Sequence, residues 1–249
     1  MKLEDIRSIG VVGGGVMGGG IAQTTALAGY KTIVRDISDE VLENSKNTIV
    51  DGRFGLKGGV ARGKSTQEQM DQAMANLTFT TRVEDLKDCD LIIETVSENM
   101  ELKQKVFAEL DKVVKKDAIF ASNSSALTHT EISRDVECKE RYLGWHWASP
   151  ANIMKMAELI YTPDTSEEVI QLVEAVCQRL GKVSVRVKDV PGNTGYVGNR
   201  IWAAIIREAQ KIIEEGIATP EDIDTVMTTG WNWPAGPFGM TQGARRGWA

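Results

Sequence analysis

A glycine run, Gly13-Gly14-Gly15-Val16-Met17-Gly18, separates an apolar stretch at 6–12 from a segment of helical character at 16–28. A second apolar run at 32–34 then ends at Asp36, eighteen residues beyond Gly18. Few sequences satisfy this order without folding as strand, tight turn, helix and strand. Gly13 permits the turn, Gly15 lets the backbone approach a pyrophosphate, and Gly18 lets the helix pack on the strand. The helix start offers unpaired N–H groups and a partial positive charge to phosphates. A carboxylate at Asp36 accepts hydrogen bonds from both ribose hydroxyls and repels a 2′-phosphate, which favours NAD over NADP. Glycine runs also make ordinary turns; strand, helix and acid in register separate this one from them. Gly13, Gly15, Val16, Met17, Gly18 and Asp36 are therefore the expected cofactor-binding residues.

The rest of the chain sets bounds on its class. Its 249 residues suffice for one large or two smaller α/β domains, and 42% apolar with 26% charged residues is ordinary for a globular protein. No apolar run reaches the length needed to cross a bilayer, and the opening is not that of a signal peptide. Cys89, Cys138 and Cys177 are scattered, with no CxxC and no Cys/His pair, so neither a disulfide framework nor a metal site is expected. A reducing cytoplasm suits this cysteine pattern, and the net charge of −6 argues against nucleic acid as the main partner.

Up to about residue 190, strand-like and helix-like segments alternate, which predicts crossover units and a mostly parallel sheet, an α/β fold of the doubly wound Rossmann type. Ser38 caps a helix starting near Asp39, and Ser65-Thr66-Gln67-Glu68 has the form of a capping box. The stretch 90–96 is too continuously apolar for a half-exposed strand. A helix at 100–114 and a strand at 118–122 follow, then strands at 141–148 and 156–161. Thr165-Ser166-Glu167-Glu168 opens a helix ending at Gly181, before a last strand at 182–187. From Pro191 the pattern turns helical: Val197, Ile201, Ile205, Ala209 and Ile212-Ile213 share one helical face, and Gly216 stops it. Thr219-Pro220-Glu221-Asp222 caps another helix. The expected division is a dinucleotide-binding domain over 1–189 and a small all-α domain over 190–249.

Two histidines are present, His129 and His146. His146 lies in Gly144-Trp145-His146-Trp147, at the C-terminal end of a predicted strand, where ligands collect in open α/β sheets. Glu158, twelve residues on, has the apolar neighbours Met156, Ala157, Leu159 and Ile160, and a carboxylate buried there needs a partner. If the two strands bring Glu158 to His146, the acid fixes the imidazole tautomer and stabilises its protonated form, as general base catalysis in hydride transfer requires. The alternative is a structural histidine capped by a carbonyl, with Glu158 solvated at an edge. Asn123-Ser124-Ser125 offers either a hydroxyl to a substrate oxygen or a simple turn. Asn199 and Arg200, near the start of the long helix, are likewise open to two readings, a site or a helix cap. Arg53, Lys57, Arg62 and Lys64 make a local basic stretch among glycines, suited to a polyphosphate handle or to a solvated loop.

Over nearly its whole length the chain resembles the L-3-hydroxyacyl-CoA dehydrogenases, including bacterial 3-hydroxybutyryl-CoA enzymes. The resemblance runs through Gly13-Gly14-Gly15-Val16-Met17-Gly18-Gly19-Gly20, Ile93-Glu94-Thr95-Val96-Ser97-Glu98-Asn99-Met100 and Ala121-Ser122-Asn123-Ser124-Ser125. It continues through Met154-Lys155-Met156-Ala157-Glu158, Asn199-Arg200, Glu221-Asp222-Ile223-Asp224 and Gly236-Pro237-Phe238. It implies that His146 is the catalytic base with Glu158 as partner, that Ser125 and Asn199 contact the reacting oxygens, and that Lys64 grips CoA phosphates. It places Glu98 and Lys103 at NAD, and it implies an acyl-CoA substrate and a homodimer joined through the helical domain. Where the family reads His-Phe-Phe-Asn-Pro, this chain reads His146-Trp147-Ala148-Ser149-Pro150. Ser149 thus replaces an asparagine that holds the nicotinamide, and Trp147 is expected to reshape the acyl pocket. The stretch Pro191-Gly192-Asn193-Thr194-Gly195-Tyr196 carries an insertion, and the helical domain is expected to be shortened. Two other readings stay open: the same chemistry on a free hydroxy acid or an unusual cyclic or aromatic acyl-CoA, and an NAD-binding protein without activity.

Overall fold

The computed structural model describes residues 1–192 and 195–247, in two compact units, Met1–Asn193 and Thr194–Ala249. The larger unit begins with β1 (Ser8–Val12), buried from Ile9 onward, and α1 (Val16–Leu27) follows across the glycine turn. Then come β2 (Lys31–Arg35), α2 (Asp39–Asp51), α3 (Leu56–Ala61), α4 (Gln67–Asn76) and β3 (Leu77–Thr80). The unit continues with β4 (Leu91–Glu94), α5 (Met100–Val113), β5 (Ile119–Ser122), α6 (His129–Ile132), β6 (Tyr142–Trp147), β7 (Met156–Tyr161), α7 (Glu167–Arg179) and β8 (Val183–Lys188). The strands form one eight-stranded sheet in the order β3-β2-β1-β4-β5-β6-β7-β8. All its neighbours pair in parallel except β6 and β7. Helices cover both faces, so β4, β5 and β6 are buried at every position, as their continuous apolar runs predict.

The described elements refine the sequence reading at several points. The capping box of α4 is Thr66 with Gln69: Gln69 N–H donates to the Thr66 hydroxyl at 3.1 Å and Thr66 N–H to Gln69 Oε1 at 2.9 Å. Ser65 with Glu68 satisfies the same pattern, and only the backbone path selects the frame. Likewise Ser166, not Thr165, caps α7, while the Thr165 hydroxyl donates to the Tyr142 carbonyl. The short helices α3 and α6 and the edge strand β3 carry too few periodic positions for sequence to declare them.

Backbone crowding dictates particular glycines. Gly13 has φ +104°, and a side chain on Gly18 would overlap the Gly13 carbonyl. A side chain on Gly144 in β6 would overlap the buried His129 ring, whose Nδ1 lies 2.9 Å from the Tyr142 hydroxyl.

In the smaller unit, α8 (Val197–Glu214), α9 (Pro220–Gly230) and α10 (Pro237–Gly247) follow one another. Thr219 and Asp222 make the capping box of α9. Asp224 explains the paired motifs around it: its carboxylate accepts from Phe238 N–H at 2.9 Å and Gly239 N–H at 2.7 Å, capping α10 from another helix. Gly236 passes so close to Asp224 that a Cβ would overlap it. Asn193 and Thr194, in the inserted stretch, lie outside the described residues.

Gly144→Ala should force α6 away from β6 and lower the unfolding free energy by about 1–3 kcal/mol, read from urea denaturation at constant m-value.

Candidate active site

The dinucleotide end of the site is built by β1, β2 and α1. Gly13 N–H donates to the Arg35 carbonyl at 2.8 Å, and the Thr95 hydroxyl donates to the Gly13 carbonyl at 2.9 Å, which fixes the turn between β2 and β4. Asp36 sits just beyond β2, where Oδ2 accepts from Gly14 N–H and Oδ1 from Ile37 N–H, each at 2.7 Å. No atom lies within 4 Å of where a Gly15 side chain would stand. That opening is a cradle a Cβ would fill, at the N-terminus of α1 beside an oriented carboxylate; the residues fit a dinucleotide. Val16 and Met17 form the first turn of α1.

The chemical end lies on β6 and β7. Their antiparallel register sets His146 directly opposite Glu158, and Nδ1 of the imidazole meets Glu158 Oε2 at 2.8 Å. Glu158 is 1% exposed and His146 7%. An ionised carboxylate so buried requires a donor, so Nδ1 carries the proton and donates to it. Asn123, named in the sequence only as part of the 123–125 motif, steadies the strand end: its side-chain carbonyl accepts from Trp147 N–H at 2.9 Å.

Between these ends stand the loops after β4 and β5. Glu98 Oε1 accepts from the Ser124 hydroxyl at 2.7 Å, Ser125 N–H at 2.8 Å and Ala126 N–H at 3.0 Å. Lys103 is fully buried, its Nζ donating to Glu94 Oε1 at 2.8 Å and to the Val96 carbonyl at 3.1 Å. Glu94 is a second residue the sequence reading passed over. An acid inside an apolar strand, the signal that picked out Glu158, marks it equally. The other expected residues sit on further elements. Ser149 is exposed in the β6–β7 loop, and Lys64 is exposed between α3 and α4. Asn199 is in the first turn of α8, in the other unit.

Trp147 corrects an expectation. Strand residues alternate faces, so Trp147 leaves the sheet opposite to His146 and packs, 1% exposed, beside Trp145 in the core. The Lys182 ammonium lies 4.5 Å from its ring centroid and donates to the carbonyls of Ala151 and Met154. Trp147 therefore fills the core beneath the β6–β7 loop and does not shape an acyl pocket on the His146 side. Among the described residues there is no metal-binding cluster and no helix long and apolar enough to cross a membrane.

Comparison with known proteins matches residues 8–190 to the NAD-binding domain model of 3-hydroxyacyl-CoA dehydrogenase and residues 195–245 to the C-terminal domain model of the same family. This chain belongs to the 3-hydroxyacyl-CoA dehydrogenase family. NAD is the cofactor of that fold, and the family is one of oxidoreductases. The mitochondrial hydroxyacyl-coenzyme A dehydrogenase of Rattus norvegicus is 36% identical over 236 residues, 94% of this chain and 74% of the relative. A probable 3-hydroxybutyryl-CoA dehydrogenase of Deinococcus radiodurans is 35% identical over 92% of this chain and 80% of its own length. The crystal structure of the (S)-3-hydroxybutyryl-CoA dehydrogenase of Ralstonia eutropha superposes with a TM-score of 0.89 at 36% identity, covering 94% of this chain and 81% of that one. A diketoreductase structure superposes with a TM-score of 0.84 at 29% identity, covering 94% and 82%.

The two histidines of this chain have different surroundings. His129 is wholly buried, and burial pushes its pKa down to about 3, with the Lys103 charge adding to the effect. The folded protein keeps this imidazole neutral while the unfolded chain protonates it near pH 6.5, so its contribution to stability is complete above that value and is lost as pH falls toward 3. His129→Gln should flatten the acid limb of the stability profile by up to one proton, about 1.4 kcal/mol per pH unit, in denaturation series between pH 6.5 and 4.

Proposed function

We propose that the chain catalyses the reversible, NAD-dependent oxidation of an L-3-hydroxyacyl-CoA to the 3-ketoacyl-CoA. The observation that carries this reading is the buried His146–Glu158 pair, at the end of a strand in a chain of this family. NAD, when bound, supplies the acceptor of the hydride from substrate C3. His146 takes the hydroxyl proton at Nε2 in the oxidation and returns it in the reduction. Glu158 holds Nδ1–H, orients the ring and stabilises the imidazolium, a form of catalysis worth about 10²–10⁴-fold.

Ser125 and Asn199 are assigned to the substrate's reacting oxygens, where donors stabilise developing charge. Asp36 and the loop from Gly13 to Gly18 are assigned to the adenosine and phosphate half of the cofactor, and Glu98, Lys103 and Ser149 to its nicotinamide half. Lys64 is assigned to the CoA phosphates. Residues 1–189 would form the cofactor domain and 190–249 a substrate and dimerisation domain. The exposed apolar Val197 and Ile201 of α8 support a homodimer. The unpaired cysteines, two of them buried, are in keeping with a reducing cytoplasm.

A second reading retains the chemistry but removes the CoA. The similarity to a diketoreductase favours it, together with Ser149 at the nicotinamide end.

The two are separated by following NADH absorbance with acetoacetyl-CoA and then with free acetoacetate. Under the first reading the CoA thioester turns over far faster, and His146→Ala or Glu158→Gln lowers kcat by about 10²–10⁴-fold while NAD binding, measured by fluorescence, persists. NAD binding without turnover on any acyl-CoA would sink this reading and favour a non-catalytic protein. Lys64→Ala should raise KM for CoA substrates several-fold and leave kcat nearly unchanged; an unaltered KM would remove Lys64 from the phosphate site.

A further inference from the structure

Three charged side chains between the dinucleotide loop and the His146 strand, Glu94, Lys103 and Glu98, form one connected chain. Glu94 is wholly buried at the end of β4, where Oε2 accepts from the Ser122 hydroxyl and Oε1 from Val96 N–H, each at 2.6 Å. Its third donor is Lys103 Nζ from α5. The same ammonium lies 3.5 Å from Glu98 Oε2. Glu98 then spends its other oxygen on three donors from one turn, the Ser124 hydroxyl and the N–H groups of Ser125 and Ala126.

The three N–H bonds of the Lys103 ammonium thus have three oxygens around them: Glu94 Oε1, the Val96 carbonyl and Glu98 Oε2. An ammonium is an expensive group to bury, and two carboxylates are what keep it there. Glu98 gains in turn. Burial pushes its carboxyl upward, but the Ser124 hydroxyl, the Lys103 charge and the two backbone N–H groups outweigh that and hold it below the usual carboxylate range. It stays ionised as a strong acceptor, and the position of Ser125 is set by the bond its own N–H makes to that acceptor.

We infer that Lys103 is a positioning residue: anchored by Glu94, it orients the Glu98 carboxylate, and Glu98 holds the 124–126 turn so that Ser125 presents its hydroxyl to the reacting oxygen of the substrate. The inference rests on the role given to Ser125 above. It assigns Lys103 an effect on turnover that reaches the substrate through Ser125, separate from the cofactor contact assigned to it above.

A double-mutant cycle tests it. Lys103→Met is combined with Glu94→Gln, so that no unpaired charge is left buried, and this pair is placed in both the Ser125 and Ser125→Ala backgrounds. The expected result is a fall of about tenfold in kcat/KM for acetoacetyl-CoA in the Ser125 background and less than about twofold once Ser125 is alanine. Assays at saturating NADH, set for each variant by fluorescence titration, keep any change in cofactor affinity out of the comparison. Equal losses in both backgrounds would overturn the inference. If the pair fails to fold by circular dichroism, Glu98→Gln takes its place in the same cycle, with the same non-additivity expected and additivity again decisive against it. Failure of the underlying reading shows elsewhere, in an unchanged kcat/KM for Ser125→Ala alone, and that outcome removes the inference with it.

Discussion

Glu158 is shut away from water, and a carboxylate so placed is tolerated only when a donor meets it. The sheet meets that requirement by reversing direction once. Had β7 run parallel to β6 like the other neighbours, a crossover would separate them and the register of the pair would be free to differ. Because the chain turns back within the 148–155 loop, His146 falls opposite Glu158 by strand geometry alone. The reversal also fixes what lies behind the pair. On the other face of β6, Trp145 and Trp147 fill the core, and Lys182 pins the returning loop through the carbonyls of Ala151 and Met154.

The same loop is held from a second side. Asn152 donates to Gln23 Oε1 on α1 and to the Phe54 carbonyl, both at 2.9 Å. Gly20 of α1 lets Ala151 approach, since a Cβ there would stand 3.1 Å from the Ala151 methyl. The glycines of α1 thus have separate tasks. Gly13 and Gly18 shape the turn before α1, and Gly20 seats the loop that carries Ser149. The two ends of the site are rigidly connected through one helix, which suits a reaction whose partners must be held within a fraction of an ångström.

Much of this was legible in the chain itself. The glycine run followed by Asp36, the strands at 90–96 and 118–122, and the helices opened by Ser38 and Thr219 are local matters of backbone freedom, capping and apolar period. Such signals act over a few residues, so a sequence displays them directly. His146 and Glu158 stood out for a related reason: each is a polar group in an apolar run. Glu94 carried the same mark and was passed over, because no partner for it is visible within its own strand.

Local order along the chain settled the doubly wound series of elements, the glycine turn before α1, and the two polar residues, His146 and Glu158, set into apolar strands. Tertiary structure alone decided which of those residues meet. Trp147, adjacent to His146 in the chain, belongs to the core and not to the pocket, because neighbours on a strand face opposite ways. Lys103, more than twenty residues from Ser125, is joined to it through Glu98, because burial of its charge required two acids and the sheet brought them within reach. Side-chain alternation and the cost of burying charge are general rules, but they act on contacts that exist only once distant strands have paired.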